Sequence, residues 1–118
     1  MKRILVSAAI GVAALGALAA TPASYPGGDE ELSKFLASTV RYPEFARDNG
    51  IEGTVSVQFT VREDGTIAEP KIVRPLDPDL EEEALRVVKS MPAWTPATDD
   101  SGRPVAAPVT LPVHFRLS

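Results

Sequence analysis

Two stretches of the chain alternate apolar and polar residues with a period of two. In GTVSVQFTVR, residues 53–62, Val55, Val57, Phe59 and Val61 point one way, while Thr54, Ser56, Gln58, Thr60 and Arg62 point the other. Near the end, Val109, Leu111, Val113, Phe115 and Leu117 alternate with Thr110, Pro112, His114, Arg116 and Ser118. Each pattern predicts a strand with one buried face. Between them, Glu63-Asp64-Gly65-Thr66 predicts a hairpin turn, because Asp-Gly tolerates the positive φ that such turns need. A return strand is expected over Ile67–Arg74.

Helical spacing fills the remainder. Asp29-Glu30-Glu31 opens a pattern in which Leu32, Phe35, Leu36 and Val40 share one face. The acids suit the positive end of the helix dipole. Tyr42-Pro43 interrupts it, and PEFARDN predicts a second, short helix that stops at Asn49-Gly50. Asp77 as N-cap and Pro78 at the first helical position start the third, with Leu80, Ala84, Leu85, Val87, Val88 and Met91 on its apolar side and Pro92 at its end.

Prolines order the strands. Proline has no N–H and is confined largely to edge strands or bulges. Pro70 interrupts the second strand, Pro108 and Pro112 the third, and none occurs in 54–62. The first strand is therefore expected in the centre, in spatial order 2-1-3. A right-handed helical crossover would lay the third strand antiparallel to the first. The expected fold is α+β, a three-stranded antiparallel sheet with two main helices on one face. The other face, with Ser56, Gln58, Thr60, Thr110, His114 and Arg116, would be wet.

The first twenty residues differ from this domain. MKRILVSAAIGVAALGALAA has Lys2 and Arg3, then an uncharged run from Ile4 to Ala20. This is the layout of a secretory signal, and Ala17-Leu18-Ala19 fits the A-x-A rule, with cleavage after Ala19 or Ala20. The rival reading is a retained short anchor, although a span needs roughly 20 strongly apolar residues and Ala and Gly dilute this one. Residues 21–28, TPASYPGG, are expected as a short Pro/Gly tether, and 29–118 as the domain.

Composition narrows the chemistry. The 118 residues are 44% hydrophobic and 24% charged, a globular balance. Without Lys2 and Arg3, ten basic residues face sixteen acidic ones, a formal charge of −6. An acidic domain is a poor candidate for nucleic acid. Zero cysteine removes disulfides, thiolate metal sites and Cys nucleophiles. The single histidine, His114, is expected as a solvated surface group. Glu81-Glu82-Glu83 cannot converge on a metal, because successive helical side chains diverge. Asp99-Asp100-Ser101-Gly102 lacks the ligand spacing of an EF-hand and is expected as a plain turn. Trp94 is expected to pack at a helix end, and Tyr42 either packs in the core or meets a partner. No catalytic triad, phosphate loop or carboxylate pair is present in the sequence pattern, so neither catalysis nor a cofactor is expected.

Taken in order, Tyr42-Pro43 with Ala46, Gly50-Ile51-x-Gly53, VSVQFTV, Asp64-Gly65, LDPDLEEEALRVVKSMPAW, Thr95-Pro96, Gly102-x-Pro104-Val105 and LPVHFRL resemble the C-terminal domain of TonB energy transducers. The resemblance covers about residues 25–118. It implies a periplasmic module that binds an extended segment, the TonB box, of outer-membrane TonB-dependent receptors by strand addition. The implied partner-binding residues are Thr39, Val40, Arg41 and Tyr42, beside the Tyr-Pro pair, and Val109, Thr110, Leu111, Val113, His114, Phe115 and Arg116 on the last strand. The chain departs from a full transducer: its apolar segment has no His and its tether is eight residues, so direct coupling to an ExbB–ExbD motor is not expected. Two alternatives stand beside the receptor-binding module: a domain whose edge strands pair with themselves to give a homodimer, and a small hydrolase with an unrecognised site.

Overall fold

The computed structural model describes residues 4–5 and 20–117. The signal segment expected over 1–20 therefore lies outside the described residues, apart from Ile4, Leu5 and Ala20. In chain order the elements are β1 (Ile4–Leu5), α1 (Asp29–Thr39), α2 (Glu44–Asp48), β2 (Gly53–Val61), β3 (Ile67–Arg74), α3 (Pro78–Lys89), β4 (Ala97–Thr98), β5 (Pro104–Val105) and β6 (Ala107–Leu117). The main sheet has the order β1-β6-β2-β3, with every neighbouring pair antiparallel. The expected 2-1-3 arrangement is thus present as β3-β2-β6, with α3 in the crossover. The fourth strand, β1, extends it. β4 and β5 form a separate two-stranded ribbon.

Register follows the alternation. Val55 faces Val113, Val57 faces Leu111 and Phe59 faces Val109, and all six side chains are buried. The opposite face pairs Thr54 with His114, Ser56 with Pro112, Gln58 with Thr110 and Thr60 with Pro108, all half-buried. Leu32 and Leu36 of α1 and Leu80, Ala84, Val87 and Val88 of α3 cover the apolar face. α3 begins as expected: the Asp77 carboxylate accepts the Asp79 and Leu80 N–H groups at 3.0 and 3.1 Å. It ends at Lys89, two residues before Met91, with Ser90 as C-cap. α1 stops at Thr39, because Val40 is already extended on the way to Tyr42-Pro43.

β3 is an irregular edge. Glu69 and Pro70 together oppose Phe59, and Val73 is an extra residue between the Val57–Ile72 and Ser56–Arg74 pairs. These are two β-bulges. Glu69 takes φ +53°, and Pro70 offers no N–H.

The 21–28 stretch differs from the free tether that its Pro and Gly content led us to expect. Thr21 and Thr98 exchange backbone hydrogen bonds at 3.1 and 3.0 Å, and Ser24 and Thr95 do so at 3.0 and 2.8 Å. Ala23 and Tyr25 are buried in the core. Residues 20–25 are a strap laid along the segment that follows α3. Tyr25 meets the Trp94 ring edge-on at 5.7 Å, and Trp94 in turn meets Phe59 at 5.3 Å. Trp94 thus packs as a core residue beyond the helix end.

Candidate functional site

The expected site joins two parts of the chain, the residues around Tyr42 and the strand β6. Tyr42 brings them together. Its ring lies edge-on to Phe115 at 5.6 Å, and its hydroxyl donates to the Ile51 carbonyl oxygen. The ring is buried and packs in the core. Burial raises its phenol pKa, and the carboxylates of Glu52 and Asp77 raise it further. Val40 beside it is buried, Thr39 is half-buried and Arg41 is exposed.

Two side chains of α3 fix this segment. Once α1 has ended, the Thr39 carbonyl and the Arg41 N–H have no helical partner. The Arg86 guanidinium donates to the Thr39 oxygen at 2.9 Å, and the Glu83 carboxylate accepts the Arg41 N–H at 2.6 Å. Arg86 also grips Glu83 with two hydrogen bonds of 2.7 Å, which raise the guanidinium pKa. The acidic run 81–83 therefore does more than favour the helix start. Glu83 holds Arg41, and Glu81 accepts the Leu76 N–H at 2.9 Å. The Glu83-x-x-Arg86 spacing was the signal available in the sequence for this clasp.

Along β6 the residues expected to meet a partner fall into two sets. Val109, Leu111, Val113 and Phe115 are fully buried under the helices, so only their backbone is available. Thr110, His114 and Arg116 belong to the other face. His114 is not simply solvated there: its Nδ1 lies 2.7 Å from the Thr54 hydroxyl.

Backbone polarity follows the same alternation. Pro108 and Pro112 have no N–H, and a strand paired on β2 places such residues with their nitrogens on the outer edge. Their even-numbered neighbours Thr110, His114 and Arg116 then direct N–H groups outward. Leu117, of opposite parity, donates inward to the Glu52 carboxylate beside the start of β2, at 2.9 Å. The outer edge thus carries donors at 110, 114 and 116, gaps at 108 and 112, and β1 at its far end, where Leu5 faces Arg116 and Ile4 faces Leu117.

Among the described residues, no group of three or more His, Cys, Asp or Glu side chains is placed to hold a metal ion. No described helix is long and apolar enough to cross a membrane. The Asp99 turn is a plain turn, in which the carboxylate accepts the Ser101 and Arg103 N–H groups.

The family model for the Gram-negative bacterial TonB protein C-terminal matches residues 38–117. The protein named Protein TonB of Helicobacter pylori strain J99 is 34% identical over 91 residues, which cover 73% of this chain and 32% of that protein. Protein TonB of Helicobacter pylori strain 26695 is 33% identical over the same length and shares. The chain therefore spans about a third of the length of these relatives. No solved structure matches it.

Proposed function

Because this chain belongs to the family of TonB C-terminal domains, we propose that it is a periplasmic binding module, exported by its N-terminal signal, that takes an extended segment of an outer-membrane TonB-dependent receptor in support of energy-coupled transport. The segment adds as a strand to the outer edge of β6. The observation that carries this reading is the contrast between the two sides of the sheet. β3 ends the sheet in two bulges and a proline, which leave no regular ladder for a newcomer. β6 runs straight through eleven residues and directs the N–H groups of Thr110, His114 and Arg116 outward.

The affinity follows from the same geometry. Three outward donors and the matching carbonyls offer a handful of main-chain bonds, each about 1 kcal/mol net. The complex is therefore modest and reversible, as a module that repeatedly captures and releases a receptor needs. Arg116 and half-buried His114 stand on β6 itself, where side chains of the added strand would pass, so they select among segments. Motor coupling of the ExbB–ExbD kind is not part of the proposal.

The test is a titration with TonB-box peptides from receptors of the same cell, followed by amide NMR. The Thr110, His114 and Arg116 resonances should move first. If none of residues 109–117 responds at about millimolar peptide, strand addition at β6 is wrong, since even a handful of net main-chain bonds gives that affinity.

A further inference from the structure

The outer edge of β6 is not wholly open. Proline removes its donors at 108 and 112, so 113–117 is the stretch with an uninterrupted set, His114 and Arg116. That stretch is where β1 pairs, Leu5 against Arg116 and Ile4 against Leu117. The chain's own N-terminus thus lies on the best pairing site of the edge on which a partner strand would have to lie.

We infer that β1 is a built-in competitor: while residues 1–20 remain attached, the N-terminal strand closes the C-terminal end of the β6 edge at Arg116 and Leu117, and a partner must displace it. This rests on the reading of β6 as the partner edge. Ile4-Leu5-Val6 is the β-prone part of the leader, and the Ala-rich run that follows favours strands less. The ladder is only two residue pairs long, so it opens readily. A strand tethered to its own edge nevertheless competes at an effective concentration on the order of millimolar. A weak, indiscriminate strand is excluded by such a competitor, and a well-matched one displaces it. Removal of the leader takes the competitor away altogether, so export processing and edge opening become one event.

The test uses the full chain, made by cell-free synthesis in a mild detergent so that residues 1–20 stay in place, beside its Leu5→Pro variant. Proline at position 5 has no N–H to offer Arg116 and so breaks that pairing. Two readouts address closure: hydrogen exchange at the Arg116 amide, and binding of a synthetic peptide of residues 2–7, KRILVS. Exchange at Arg116 should be about tenfold faster in the variant, with the Val57 amide unchanged. The peptide should shift the Arg116 and His114 resonances in the variant at concentrations that leave the parent chain unmoved. Equal exchange at Arg116 in the two proteins, or equal peptide binding, overturns the inference. A receptor peptide added to both proteins separates the two claims. Failure of that peptide in both proteins, with the closure readouts as expected, rejects the receptor role and leaves the closure standing.

Discussion

The Glu83 carboxylate accepts the backbone N–H of Arg41 at 2.6 Å, across 42 positions of sequence. With Arg86 donating to the Thr39 carbonyl from the next turn of the same helix, α3 takes over the backbone groups that α1 releases. The segment leading into Tyr42 is thereby held by α3. Glu83→Ala should cost about 1–2 kcal/mol, the loss of hydrogen bonds to a charged group at a partly exposed site. Amide exchange at Arg41 should quicken more than exchange in β2. Urea unfolding and hydrogen exchange measure the two effects. An unchanged Arg41 amide would show that the clasp holds nothing.

Alkaline pH should weaken the domain through its tyrosines. Burial, then Glu31, raises the Tyr25 phenol pKa, and burial, then Glu52 and Asp77, raises that of Tyr42. The folded chain keeps protons that the unfolded chain releases near the ordinary value of about 10. The stabilisation is therefore complete below about pH 10 and is lost as pH rises through the folded values. The urea midpoint should stay level to about pH 9 and fall beyond pH 10. The double variant Tyr25→Phe/Tyr42→Phe should fall less steeply, and an equal slope would assign the loss to other groups.

Gly65 should tolerate no side chain. It sits at φ +88° in the β2–β3 turn, its carbonyl accepts the Trp94 N–H at 2.8 Å, and a Cβ would collide with the Trp94 carbonyl oxygen. Gly65→Ala combines a strained backbone with a backbone collision, and a loss of about 1–3 kcal/mol is expected from thermal or urea unfolding. A neutral result would mean that the turn shifts freely away from Trp94.

Pro112→Val should make the β6 edge less selective. Pro112 faces Ser56 across the ladder and occupies a gap on the outer side. Valine adds an outward N–H between those of Thr110 and His114, and so removes a protection that edge strands use against unwanted pairing. Sedimentation velocity over a range of concentrations should show more self-association than in the parent chain. Parent and variant sedimenting alike would mean that the proline is not what guards the edge.

Much of this was legible because the signals are local. The period-two pattern from Val55 to Val61 set the core face, and Asp77-Pro78 marked the start of α3. Pro70, Pro108 and Pro112 ordered the strands, since a missing N–H acts at the residue itself. The strap escaped notice because its partners, Thr95 and Thr98, lie more than seventy positions away, while Pro and Gly nearby resemble those of a linker. β1 was hidden for a related reason: an apolar run suits a leader and a strand alike. The clasp was half visible. The i,i+3 spacing of Glu83 and Arg86 is written in the chain, but the Thr39 and Arg41 backbone groups they serve are set by where α1 stops. The bulges at Glu69–Pro70 and Val73 were visible only as an awkward proline.

Trp94 is the only tryptophan in the chain, and it sits where the strap, the β2–β3 turn and the sheet converge through Tyr25, Gly65 and Phe59. The molecule therefore carries its own optical probe of strap docking. Lifting residues 20–25 strips Tyr25 from the indole while Phe59 stays against it, so a red shift in emission should precede the loss of helical circular dichroism. The separation between those two signals measures how tightly the N-terminal strap is fastened, with no label attached.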